Sequence, residues 1–176
     1  MNARSPIQPA LAALATSAKS FGKALRTTGL IQKDFTAALR DAVAGKRSWL
    51  RPEHRVGDPA RYMRHLVYVD PDDEFVITAI TWLPGQQSPV HGHYVWCAYG
   101  VAEGELTEEQ FRAPGKLLEP IGTKIIRAGE LADLDLGGPT YHRVSNRSNK
   151  VLVTLHVYGV ASSSITTGIN RIFGEE

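Results

Sequence analysis

The stretch Trp82–Gly104, WLPGQQSPVHGHYVWCAYGVAEG, decides the fold. It begins near the turn signal Pro84-Gly85 and carries His91-Gly92-His93 at its centre. Histidines at i and i+2 project from the same face of a strand because side chains alternate with a period of two, whereas on a helix they would diverge by about 200°. The flanking residues are β-branched or aromatic, which favours a strand: Val90, Tyr94, Val95 and Trp96. The segment therefore predicts a strand with two imidazoles available to one metal ion.

The spacing around these histidines resembles the first motif of the cupin family. Gly85, His91, His93 and Gly104 stand at the family's offsets, but Cys97 occupies the place where cupins usually carry a glutamate ligand. A second segment, Tyr141–Asn146, resembles the end of the second cupin motif, which contributes the last histidine. We therefore predict a metal face of three histidines, which are His91, His93 and His142.

Length and composition limit the classes of protein that fit. The chain has 176 residues, a net charge of +2 and one cysteine. This length suits one domain, predicted over residues 1–176, and interspersed charges indicate no nucleic-acid partner. A single cysteine fits a reducing compartment, and no apolar run approaches the roughly 18 residues that a membrane span needs. We therefore expect a cytoplasmic protein that contacts no membrane.

The periodicity of the sequence changes once along the chain. Residues 1–50 are predicted to be helical, with Phe35, Leu39 and Val43 at helical spacing and Gly45 ending a helix. Residues 60–160 alternate with a period of two between glycine- and proline-bearing turns, which is typical of short strands. The predicted fold class is mainly β, a cupin (double-stranded β-helix or jelly-roll) barrel with an N-terminal helical segment that caps one end of the barrel.

Two predicted strands carry polar side chains on one face. Thr154, His156 and Tyr158 alternate with apolar residues, and neighbouring hydroxyl, imidazole and phenol groups can form a hydrogen-bond relay. Tyr62 and Arg64 share a face of another strand, where an inward arginine would need an anionic partner such as a carboxylate. The pattern alone also allows both faces to point towards solvent.

Taken together, these segments resemble the cysteine dioxygenase family of thiol dioxygenases, which are cupins that bind ferrous iron. The resemblance runs from about Arg61 to Gly159 and is carried by four segments in the family's order: Tyr62-Met63-Arg64-His65-Leu66-Val67, Pro89-Val90-His91-Gly92-His93, His142 and Thr154-Leu155-His156-Val157-Tyr158. In the last of these, threonine replaces the family's serine.

The resemblance implies a cofactor, a reaction and roles for these residues. It implies Fe(II) held by the three histidines, and a small thiol carboxylate that reacts with O2 to give a sulfinate. Arg64, with Tyr62 beside it, would bind the substrate carboxylate, and Tyr158 would lie near the iron, oriented by His156 and Thr154. L-Cysteine is the expected substrate, because relatives that prefer 3-mercaptopropionate tend to carry glutamine where Arg64 stands.

Several alternatives stay open at this stage. The substrate could be 3-mercaptopropionate or mercaptosuccinate, and a non-catalytic metal-binding cupin that binds or senses a small acid belongs to another class of function. The oligomeric state is open. Gly92 stands where the family often has aspartate, so an outer contact of the metal site is expected to be missing. Cys97 resembles a cysteine that animal relatives cross-link to the tyrosine matching Tyr158, and the alternative is a free buried thiol.

Overall fold

The protein, seen as a computed structural model, is described over residues 9–27, 33–45 and 47–174. The helical prediction for residues 1–8, 28–32 and 46 lies outside this part of the chain. The helices and strands are α1 (Pro9–Thr27), α2 (Lys33–Ala44), β1 (Met63–Val69), β2 (Val76–Trp82), β3 (His91–His93), β4 (Cys97–Glu103), β5 (Glu105–Arg112), β6 (Glu119–Arg127), β7 (Thr140–Ser145), β8 (Leu152–Tyr158) and β9 (Asn170–Ile172). Neither helix is long and apolar enough to cross a bilayer.

The strands form two antiparallel sheets that enclose the core of a barrel. One sheet has four strands in the order β1-β2-β8-β4, and the other has five in the order β6-β5-β7-β3-β9. Alternate side chains of both sheets meet in the interior, among them Val76, Ile80 and Val101 from the first and Leu106, Ile126 and Val144 from the second. The predicted mainly β, two-sheet architecture with N-terminal helices is confirmed.

The helices lie against the outer face of the four-stranded sheet. Phe21 and Phe35 stack on each other with their ring centroids 4.7 Å apart, and both belong to the apolar cluster that includes Leu155 and Val157 of β8. The prediction that the helices cap one end of the barrel is therefore wrong. Every residue of β2 and β8 is buried, on the outer face of the sheet as well as on the inner one. The outer face is apolar, so it is stable only when the helices shield it from water.

The barrel also extends beyond the predicted range of residues 60–160. Strand β9 pairs with β3, with Asn170 opposite His93 and Ile172 opposite His91. On its other side β3 pairs with β7, where His91 is opposite His142. The three-residue strand that carries both histidines is therefore held between two neighbours, and this fixes the direction of the imidazoles.

Candidate metal centre and its pocket

The three predicted histidines converge on one point inside the barrel. Nε2 of His91 lies 3.2 Å from Nε2 of His142, and a nitrogen from each of the three rings lies within 4.8 Å of the others. His91 is 5% exposed and His93 is 3% exposed, so the cluster is shielded from water. Nδ1 of His91 donates a hydrogen bond to the carbonyl oxygen of Pro89 at 3.0 Å, which leaves the Nε2 lone pair directed at the cluster.

Two carboxylates, those of the buried Glu108 and the partly exposed Asp135, orient the other two rings. Nδ1 of His93 donates to Asp135 at 2.8 Å, and Nδ1 of His142 donates to Glu108 at 2.8 Å. Glu108 also accepts a 2.6 Å hydrogen bond from the hydroxyl of Tyr99 and is only 3% exposed. Such carboxylate–histidine pairs fix the tautomer of a ligand and raise its basicity.

Burial favours the neutral forms of His91 and His93. Burial holds the pKa of His91 well below its usual value, and the neighbouring His142 and His93 add to this. Burial also lowers the pKa of His93, although Asp135 partly opposes the shift. Burial alone would raise the pKa of Asp135, but the hydrogen bond and charge interaction with His93, together with the backbone N–H groups of Gly137 and Gly138, hold the pKa below its usual value. Three imidazoles that converge in this way fit a divalent transition metal, and imidazole is a suitable ligand for iron, zinc, copper and nickel.

The relay predicted on β8 is assembled inside the barrel. The hydroxyl of Thr154 accepts from Nε1 of Trp82 at 3.0 Å and donates to the carbonyl of Ile80 at 3.4 Å. Nε2 of His156 lies 2.8 Å from the same hydroxyl, so this nitrogen must be the donor. Nδ1 of His156 is then the acceptor, and the hydroxyl of Tyr158 donates to it at 2.9 Å. The threonine therefore supports the relay as a serine hydroxyl would.

Burial keeps the members of this relay uncharged. It lowers the pKa of His156 well below the usual value, and Arg64 adds to the shift. It raises the pKa of Tyr158 well above the usual value, with a further contribution from Cys97. Because Tyr158 donates its proton to His156, its phenol oxygen acts as an acceptor in the pocket, where a hydrogen bond from Arg64 partly opposes the rise in pKa.

Arg64 and Tyr62 lie in the same pocket as the histidines. The guanidinium of Arg64 donates to the hydroxyl of Tyr62 at 3.4 Å, and the Tyr62 ring stacks on Trp82 with ring centroids 4.4 Å apart. Nε of Arg64 is buried without a hydrogen-bond partner. Within the described residues Arg64 forms no ion pair with a carboxylate, and a half-buried cation without such a partner favours an anionic ligand.

One pocket joins the metal face, the relay and the arginine. Its cavity volume is about 20 Å³, so the lining side chains lie close together around a small space. The residues that line the pocket are Tyr62, Arg64, Ile80, Trp82, Ser88, His91, His93, Tyr99, His142, Val144, His156, Tyr158 and Asn170. The structure thus brings together every predicted metal-binding residue and most of the predicted catalytic and substrate-binding residues. Thr154 lies behind His156 and does not line the pocket.

Cys97 is placed directly beside Tyr158. The two residues are cross-strand partners in the pairing of β4 with β8, and partners in such a pair point to the same face. Cys97 is 1% exposed and forms no disulfide. Burial raises the pKa of its thiol well above the usual value, while contact with Tyr158 slightly opposes the shift.

Gly92 has a packing reason to lack a side chain. A Cβ at this position would lie 2.7 Å from the carbonyl oxygen of Thr140 and 2.8 Å from the guanidinium of Arg171. An aspartate would not fit between β7 and β9. Position 92 therefore provides no side-chain contact to the metal site, and the hydrogen bonds behind His93 and His142 come from Asp135 and Glu108.

Sequence reasoning missed three residues at this site: Glu108, Asp135 and Asn170. Glu108 belongs to β5, whose sequence ELTEEQFR is mostly charged or polar. Leu106, Glu108 and Gln110 share one face of the strand, but their alternation predicts a strand only weakly because most of the residues between and around them are also polar. Asp135 lies in a loop, and Asn170 belongs to a strand of three residues, where no periodicity is measurable.

The family follows from a comparison of the whole sequence. A profile of the cysteine dioxygenase type I family matches residues 31–167, which is more than half of the chain. The chain belongs to the cysteine dioxygenase type I family. This match spans α2 and the first eight strands, and it includes the three histidines, the relay and Arg64.

Solved structures with the same fold are more distant. A protein of Thermus thermophilus is 21% identical over 63% of this chain and 96% of its own, with a TM-score of 0.48. A double-stranded β-helix protein of Klebsiella pneumoniae is 19% identical over 62% of this chain and 86% of its own, also with a TM-score of 0.48. Hydroquinone 1,2-dioxygenase is 16% identical over 58% and 66%, with a TM-score of 0.47.

Proposed function

We propose that this protein is an Fe(II)-dependent thiol dioxygenase that converts a small thiol carboxylate, first of all L-cysteine, to its sulfinate. The observation that carries the proposal is one pocket shared by three converging histidines and by Arg64, which forms no ion pair with a carboxylate among the described residues. Family membership supports a dioxygenase reaction and ferrous iron. 3-Mercaptopropionate and mercaptosuccinate are the alternative substrates, since both offer a thiol and a carboxylate.

The charges of the pocket suit a thiolate carboxylate. A metal held by three imidazoles keeps its full positive charge, whereas a site with a carboxylate ligand neutralises part of it. Bound iron would supply the redox-active centre at which the thiol sulfur and O2 meet. Arg64 would receive the carboxylate in a bidentate hydrogen bond and fix its distance from sulfur, so that the length of the substrate is tested.

The relay would hold Tyr158 in one orientation during the reaction. With its proton donated to His156, the phenol oxygen can accept a hydrogen bond from a group in the pocket. Both atoms of O2 enter the sulfinate, and the sulfur supplies all four electrons, so no separate reductant is needed. The surrounding aromatic residues Tyr62, Trp82 and Tyr99 exclude water from the reacting groups.

Oxygen uptake by the iron-loaded protein tests the proposal. The protein is loaded with Fe(II) under anaerobic conditions and then given L-cysteine, 3-mercaptopropionate or mercaptosuccinate in parallel. We expect one O2 consumed per thiol with sulfinate as the product, fastest with L-cysteine. No uptake with any of the three, despite stoichiometric bound iron, would reject thiol dioxygenation and favour a binding role for the pocket.

A further inference from the structure

Asn170 is a pocket residue that the relay, the metal face and Arg64 do not account for. It begins β9 and is the direct cross-strand partner of His93 in β3. Because partners in an antiparallel pair point to the same face, its side chain is directed towards the pocket that His93 lines. Asn170 accordingly belongs to the lining of that pocket.

The amide oxygen of Asn170 is buried without a hydrogen-bond donor. Four buried side-chain atoms of the described residues lack a partner, and two of them, Oδ1 of Asn170 and Nε of Arg64, belong to residues that line this pocket. A buried polar atom without a partner is costly, so its presence in a pocket indicates a ligand group that completes it. One of these two atoms is an acceptor and the other is a donor.

This pair of atoms is complementary to an α-amino acid. A carboxylate accepts hydrogen bonds and matches the guanidinium of Arg64, whereas an amino group donates them and matches Oδ1 of Asn170. 3-Mercaptopropionate is L-cysteine without its amino group, and it would leave Oδ1 unpaired. Mercaptosuccinate also lacks an amino group and would leave Oδ1 without a donor in the same way.

We propose that Asn170 is a specificity-determining residue that accepts a hydrogen bond from the α-amino group of the substrate, so that the site selects α-amino thiol acids over thiol carboxylates without the amino group. This inference rests on the proposed function, since it assigns the substrate class of the same pocket. Arg64 and Asn170 then bind the two polar groups on the α-carbon, which leaves the thiol directed at the histidines.

Two variants of Asn170 separate hydrogen bonding from shape. Asn170→Leu keeps the size of the side chain and removes the acceptor, whereas Asn170→Asp keeps an acceptor. We measure kcat/KM for L-cysteine and for 3-mercaptopropionate and take their ratio. We expect the leucine variant to lower this ratio by about tenfold to a hundredfold and the aspartate variant to preserve the preference for L-cysteine. An unchanged ratio in the leucine variant would overturn the proposal.

An equilibrium measurement keeps this test independent of turnover. Anaerobic titration of the metal-loaded protein with each thiol measures the same ratio as dissociation constants, whether or not the thiol is oxidised. We expect the wild-type protein to bind L-cysteine more tightly than 3-mercaptopropionate and the leucine variant to lose that difference. Equal affinity of the wild-type protein for the two thiols would reject the role of Asn170, whereas failed oxidation with selective binding would reject only the dioxygenase reaction.

Discussion

The two sheets of the barrel differ in what covers them and in what they contribute to the site. The four-stranded sheet is covered outside by the helices, and every residue of β2 and β8 is buried. The five-stranded sheet has no such cover on β6, most of which is exposed. The first sheet carries the relay and Arg64, and the second carries the metal ligands.

This difference shows how one fold holds two kinds of chemistry. The relay needs side chains that stay neutral and immobile, which full burial on both faces of a sheet provides. The metal ligands need oriented lone pairs, which the five-stranded sheet provides through the polar contacts of Glu108 and Asp135. Packing therefore fixes one half of the site, and hydrogen bonding fixes the other.

The largest expected effect concerns packing. Leu155 of β8 is fully buried on the outer face of the four-stranded sheet, so Leu155→Ala should lower the free energy of unfolding by about 2–5 kcal/mol. Ile125 of β6 is 50% exposed on the other sheet, and Ile125→Ala should cost no more than about 0.5 kcal/mol. Urea denaturation of the metal-free protein measures both. Equal losses of unfolding free energy in the two variants would contradict the proposed difference in packing between the two sheets.

A smaller effect is expected from the hydrogen bonding behind the metal ligands. Glu108→Gln removes the negative charge next to His142 with little change of shape, and should weaken metal binding by about tenfold to a hundredfold. Competition with a chelator of known affinity measures the dissociation constant.

Glu109→Gln is the matched control for this prediction. Glu109 is the next residue on β5, and its carboxylate pairs with Arg143 at 2.8 Å instead of with a metal ligand. We expect this variant to bind the metal as the wild-type protein does. If both variants weaken the affinity equally, the position of Glu108 behind His142 is not what matters.

The relay and the metal ligands followed from the sequence because regular alternation and fixed spacing place side chains on faces. His91 with His93, and Thr154 with His156 and Tyr158, are such cases. The placement of the helices did not follow, because an amphipathic helix shows that it covers an apolar surface but not which one. Glu108 and Asp135 were missed because their roles arise from pairing between distant strands and loops, which no local pattern records.

The next effect depends on pH and belongs to the four-stranded sheet. Burial lowers the pKa of His156 in the folded protein, whereas the same group in the unfolded chain titrates near about 6.5. The unfolded state therefore binds more protons as the pH falls through that value, and stability falls by up to about 1.4 kcal/mol per pH unit for this group.

Denaturation of the metal-free protein between about pH 7 and pH 5 checks this expectation. His156→Gln removes the group, so its stability should fall less steeply with decreasing pH than that of the wild-type protein. His91 and His93 remain in the variant and keep a part of the slope. Identical slopes would show that His156 does not stay neutral in the folded state.

The smallest expected effect is a change of two hydrogens in mass, caused by a covalent bond between β4 and β8 of the four-stranded sheet. We hypothesise that Sγ of Cys97 forms a thioether with the ring of Tyr158, losing one hydrogen from each residue, with O2 as the oxidant. Intact-protein mass spectrometry after turnover should show a fraction of chains lighter by two hydrogens. Cys97→Ser should show only the mass of the substitution. Complete labelling of the thiol in an active sample would contradict the hypothesis.

The pairing of β3 with β9 has a consequence for the folding kinetics. The partners His93 and Asn170 are remote along the chain, and closing such a long loop has an entropic cost that contacts between neighbouring elements avoid. Proteins rich in remote contacts fold more slowly than those rich in local ones. We therefore expect the α1–α2 pair and the β1–β2 hairpin to form early, and the capacity to bind a metal ion to be acquired only in the final stage of folding.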